Sequence, residues 1–152
     1  MTFDEQIQTA VLAGNLEEVL RLTMEHLRAD TGTIHLLEGD GVLHLKAASA
    51  GIPAPVLKAV ELVPIGKGMA GLAVERKEPV SVCNLQSDSS GNARPGAKAT
   101  GMEGAIVVPI FKGEHAVGAL GIANRGARTF TPEETAQLTE VGRAIASQSK
   151  IL

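Results

Sequence analysis

The segment Gly66-Lys67-Gly68-Met69-Ala70-Gly71 carries the spacing G-x-G-x-x-G and runs on into Leu-Ala-Val-Glu-Arg, which suits a helix. Glycines so spaced can hold backbone N–H groups against a dinucleotide pyrophosphate, but only inside a parallel strand-helix-strand unit. Two further sets of residues could do chemistry. Cys83 is the one thiol of the chain, a candidate nucleophile or redox sensor. Asn92, Arg94 and Lys98 share one polar segment, where a guanidinium fork suits a carboxylate and an amide offers a paired donor and acceptor.

His26, His35, His44 and His115 are the possible metal or haem ligands. His26 falls outside the apolar stripe of its helix and His115 falls in a hairpin turn, which predicts both in solvent. A two-residue turn at Asp40-Gly41 would set His35 opposite Lys46 and His44 opposite Leu37, diagonal neighbours on one face of a sheet. Without an acid or cysteine beside them no metal is expected. Their expected use is to supply a polar group to a pocket.

Composition narrows the classes. One cysteine rules out an intramolecular disulfide and a zinc site of several cysteines, so packing must hold the fold. The 152 residues suit one domain, 1–152, with 17 acids against 14 Lys and Arg and a net charge of -3. No segment is dominated by basic side chains, and Phe3, Phe111 and Phe130 are too scattered to stack bases, so nucleic acid is not an expected partner. The start MTFDEQIQ is acidic where a signal peptide would be basic, and no apolar run is long enough to span a bilayer. The expectation is a cytoplasmic protein without a membrane partner.

The elements that must position these residues follow from periodicity. Thr2 with Glu5 and Asn15 with Glu18 read as helix starts, which predicts an N-terminal helical segment over 1–29 broken at Gly14. From Thr33 the period becomes two, giving a hairpin around Gly39-Asp40-Gly41. A short helix over Val56 to Val60, a strand over Glu61 to Ile65, a helix over Met69 to Arg76 and a strand over Val80 to Cys83 come next. Residues 86 to 104 form a long loop in which Met102 is the only large apolar residue. AIVVPIF and AVGALGIA make a second hairpin, and Thr131-Pro132-Glu133-Glu134 opens a final helix within 130–150. Short hairpins with helices at both ends imply an α+β fold, an antiparallel sheet covered on one face, and leave no parallel unit for a dinucleotide.

In order and spacing, TIHLLEGDGVLHLKAASAG, PIGKGMAGLAVERKEPVSVCNL, GMEGAIVVPIFKGEHAVGALGIANR and TFTPEETAQLTEVGRAIASQ resemble the GAF domain family over about Leu16 to Ser147. The resemblance implies a GAF-like (profilin-like) antiparallel sheet of five to six strands, with N- and C-terminal helices on one face and short helices and loops over a pocket on the other. It also implies a small-molecule ligand or dimerisation within signalling proteins. The family includes free methionine-R-sulfoxide reductases, which carry a cysteine where this chain has Ala70, and further cysteines in the loop matching residues 86 to 104. Bilin-binding members place their cysteine, usually followed by histidine, after the long loop; here Cys83 precedes Asn84 at a strand end. The stretch NARPGAKATGME lacks the Phe and Asp-Glu of cyclic-nucleotide binders.

The resulting expectation is a sensory or regulatory domain without catalysis of its own. It would bind a small molecule through His35, Met69, Asn84, Asn92, Arg94, Lys98 and Met102, with no ligand or cofactor named, because aliphatic walls and a polar loop suit many molecules. Cys83 is expected as a small buried or half-buried hydrophobe. A homodimer through residues 3 to 29 and 132 to 149 is expected, with a separate signalling protein as a further partner. The alternatives are a redox enzyme or thiol sensor acting through Cys83, in the manner of a methionine sulfoxide reductase, and a pure dimerisation scaffold.

Overall fold

The structure, a computed structural model, describes residues 1–93, 98 and 100–148. Helix α1 (Phe3–Leu12) starts where the Thr2 hydroxyl accepts the Glu5 backbone N–H at 3.1 Å, and α2 (Leu16–Leu27) where the Asn15 side chain accepts that of Glu18. Each cap satisfies a donor that a helix start leaves without an intrahelical partner. Strands β1 (Thr31–Leu37) and β2 (Val42–Ala48) follow, then α3 (Ala54–Ala59), β3 (Leu62–Pro64), α4 (Gly68–Arg76), β4 (Val80–Val82), β5 (Gly104–Lys112), β6 (His115–Asn124) and α5 (Pro132–Ala146). At α5 the full capping box forms: Thr131 accepts the Glu134 N–H, and the Glu134 carboxylate accepts the Thr131 N–H.

The six strands form one sheet in the order β3-β2-β1-β6-β5-β4, with every pairing antiparallel. This is the expected α+β architecture, and no strand pair offers the parallel unit of a dinucleotide site. Helices α1, α2 and α5 cover one face, where Leu20, Val19, Leu138 and Ile145 meet Ile34, Ile106, Ile110 and Leu120, all essentially without solvent contact. Burying one such side chain stabilises the fold by about 1.5–3 kcal/mol.

Register in the first hairpin differs from the expectation. Its turn takes three residues, Gly39-Asp40-Gly41, with Gly41 at φ +76 and the Gly41 N–H on the Glu38 carbonyl, so His35 pairs with Leu45 and His44 with Leu36. A one-residue change in register turns every side chain to the other face. His35 and His44 therefore stand on opposite faces of the sheet, not side by side.

The glycines of GKGMAG serve the turn from β3 into α4. Gly66 and Gly68 have φ of +87 and +63, values that side chains oppose. Gly71 packs on the turn itself, and its carbonyl accepts the Gly66 N–H at 2.9 Å. A Cβ at Gly71 would stand 2.4 Å from the Pro64 oxygen and 3.0 Å from the Gly66 nitrogen. Both obstacles are backbone, so Gly71→Ala should lower unfolding free energy in urea by about 2–3 kcal/mol. Gly39→Ala, whose Cβ would meet nothing within 4 Å, should change it by less than about 0.5 kcal/mol.

Candidate functional site

Strand alternation gives the sheet two unlike faces. On β5 and β6 the even-numbered residues that meet the helices are large, whereas the other face carries Ala105, Val107, Ala119, Gly121 and Ala123. That shallow floor, roofed by α3, the start of α4 and the segments bearing Leu85 and Met102, leaves a cavity of about 350 Å³. The volume lies at the low end of the ~300–1,000 Å³ usual for small-molecule sites. Its walls are mostly aliphatic, with polar groups confined to Thr31, Thr33, His35, Lys67 and Thr100 among the described residues.

His35 is 3 % exposed, and its Nε2 lies 2.8 Å from the Val60 carbonyl oxygen. A carbonyl only accepts, so the proton sits on Nε2 and Nδ1 is left as an acceptor. Nδ1 is buried and has no hydrogen-bond partner among the described residues. Burial pushes the imidazole pKa down, against the opposing pull of the Val60 hydrogen bond, and keeps the ring neutral.

The start of α4 faces the same space: Lys67, Gly68, Met69 and Ala70 all line the cavity. No side chain caps this helix, no acid stands in its first turn, and Lys67 makes no ion pair among the described residues. The first backbone N–H groups of α4, with the cationic residue Lys67 at the N-cap beside them, thus give this end of the cavity a positive potential.

Of the residues singled out in the sequence, His35, Met69 and Met102 come together in the cavity wall. Asn84, Asn92 and Lys98 lie elsewhere, engaged by nearby groups: Asn84 Oδ1 accepts the Gln86 N–H, Asn92 Oδ1 accepts from Arg76 Nη2 at 3.4 Å, and Lys98 Nζ donates to the Asp88 carbonyl. Arg94 lies outside the described residues. Lys67, Thr31 and Thr33 were not singled out, although Lys67 sits inside the glycine motif and period two from Thr33 already put Thr33 and His35 on one face; the strand in fact starts at Thr31, which joins them.

The other expected groups are placed as follows. His44 Nε2 lies 2.7 Å from Asp40 Oδ2 and 3.6 Å from Glu38, so acids do stand beside it; its hydrogen bond holds the Asp40 carboxyl below the usual range. No group of three or more His, Cys, Asp or Glu among the described residues could hold a metal ion. His26 is exposed but not free, because its ring stacks on Phe3 at 3.9 Å between centroids. Cys83 is exposed rather than buried: it follows the edge strand β4, where Val80 and Val82 point inward and Ser81 outward. The Thr129 hydroxyl reaches its Sγ at 3.6 Å, and the thiol does not line the cavity.

A histidine with a lowered pKa binds its proton less readily folded than unfolded, so its neutral burial stabilises the fold fully above the unfolded value of about 6.5. That contribution is lost as pH falls from there through the folded pKa. Urea unfolding from pH 8 to 5 should therefore show a fall in stability that is smaller in His35→Gln than in the unaltered chain.

Comparison with known proteins agrees with this geometry. The pattern of the GAF domain family matches residues 13–147. No curated protein sequence matches the chain. Among solved structures, the GAF domain from a phosphoenolpyruvate-protein phosphotransferase of Coxiella burnetii is 23% identical, with a TM-score of 0.78 over 96% of this chain and 89% of that one. Free methionine-R-sulfoxide reductase from Neisseria meningitidis, in complex with its substrate, is 18% identical, with a TM-score of 0.77 over 97% of this chain and 86% of that one. The type II enzyme of Thermoplasma acidophilum is 19% identical, with a TM-score of 0.71 over 93% and 94% of the two chains. The expectation of a domain without catalysis is corrected by these last two: the fold is shared with enzymes, and an absence of catalysis does not follow from it. At these identities the likeness is one of fold, and the family match decides the assignment: the chain belongs to the GAF domain family.

Proposed function

We propose that this GAF domain is a sensory or regulatory module that holds a small molecule in the cavity beneath α4 and passes its occupancy on within a signalling system. The observation that carries this reading is the cavity itself, about 350 Å³ of mostly aliphatic wall with a buried, unpartnered histidine nitrogen in it. Folded proteins seldom keep such a volume and such an atom without a use.

The same module would pair with a second copy through its terminal helices. In support, α1 and α5 flank a groove of about 520 Å³ with Ile7, Val141 and Ala144 in its walls. Small residues there, Ala136 and Ala144, permit close helix approach. A thiol-based reading through Cys83 has less support, because the sulfur stands outside the cavity.

Native mass spectrometry of the purified protein should give about twice 15.7 kDa plus a small retained mass, and a bare monomer would overturn both parts. Ala70→Leu adds carbons to a half-buried wall position of the cavity. It should abolish the retained mass while leaving the melting temperature within a few degrees; retention of the ligand by a folded variant would count against this cavity as the site.

A further inference from the structure

The proposed ligand can be given a chemical class from the charges around the cavity, an inference that rests on the ligand-binding reading above. The chain as a whole is acidic, with a net charge of -3, yet among the described residues no Asp or Glu lines the cavity and Lys67 is the one formally charged residue that does. A cationic ligand would find no counter-charge there. An anion would find Lys67 together with the first N–H groups of α4, a nine-residue helix whose start has neither a side-chain cap nor an acid. A carboxylate does stand close to this turn, that of Glu75, on the site a Cβ of Gly66 would fill; it is exposed and lines no part of the cavity.

A second, independent observation comes from the sheet. His35 Nδ1 is a buried acceptor, with the proton fixed on Nε2 by the Val60 carbonyl, and no group among the described residues donates to it. Leaving such an atom unpaired is costly, and a ligand hydroxyl would remove the cost.

The remaining wall selects the body of the molecule. Ile52, Val56, Val60, Val63 and Leu85 are aliphatic, and none of Phe3, Phe111 or Phe130 lines the cavity, so it has no phenyl face on which a purine or a phenyl ring would stack. We infer that the cavity takes an aliphatic hydroxycarboxylate, its carboxylate on the first turn of α4 beside Lys67, its hydroxyl toward His35 and its branched body under α3.

Calorimetric titration with four matched probes tests this: 2-hydroxy-4-methylpentanoate, 4-methylpentanoate, 4-methylpentanamide and 4-methylpentylamine. The hydroxy acid should bind most tightly, the plain acid more weakly, and the amide and amine at least about tenfold more weakly than the acids. Lys67→Gln, a change at an exposed side chain, should weaken both acids about tenfold and leave the amide unchanged. An amide that binds as well as its acid, or an unaltered acid affinity in Lys67→Gln, overturns the anion assignment. Equal binding of the two acids overturns the role of His35. If no probe binds while native mass spectrometry still shows a retained ligand, the assigned class falls and the ligand-binding reading stands; if neither is seen, both fall.

Discussion

The size difference between the two faces of β5 and β6 is the constraint from which the rest of the molecule follows. Ile106, Val108, Ile110, Leu120 and Ile122 project toward the helices and fill that layer at interior density, with exposures of 3 % or less. Ala105, Gly121 and Ala123 offer little or no side chain on the other face, and the space above them is the cavity. A strand pair with equal faces would draw α4 down onto the sheet. With unequal faces, α4 rests on Leu43, Val63 and Ala119 near one end of the sheet and on Val80, Val82 and Met102 near the other, and the space between stays open.

How α4 comes to bridge that space is a matter of backbone rather than side chains. Two left-handed glycines turn the chain out of β3, and Gly71 lets the helix lie directly on the turn it has left. The same geometry that looks from spacing alone like a phosphate cradle of a parallel-sheet protein serves here to swing a helix across an antiparallel one. Glycine spacing reports close backbone approach; the surrounding topology decides what is approached.

Much of this was legible in the amino-acid order. The three helix starts at Thr2, Asn15 and Thr131 are local chemistry, fixed by a side-chain oxygen and a donor three residues on, and all three appear where expected. The strands of the second hairpin are equally local, and their two-residue turn pairs Lys112 with His115. What local pattern did not carry was register. The choice between a two- and a three-residue turn at Gly39-Asp40-Gly41 is set by one left-handed glycine, and it moved His44 away from the face that holds His35. Polarity alone did not give position either: Asn84 and Lys98 are hydrophilic and sit in or beside a long segment, and their hydrogen bonds go to the backbone around them. Cys83 was misjudged because composition suggests a buried thiol, while alternation along an edge strand turned it outward.

The two outermost strands have a consequence of a different kind. Strands β3 and β4 are three residues each, and proline stands at the end of one as Pro64 and just ahead of the other as Pro79. Prolines lack the amide hydrogen that a ladder needs, and a three-residue edge offers few unpaired groups to an incoming strand. The sheet is therefore closed to growth at both margins, protected from the edge-to-edge stacking that leads to aggregates. The pairing proposed through the terminal helices would leave both margins untouched, and its surfaces would separate again without unzipping the fold.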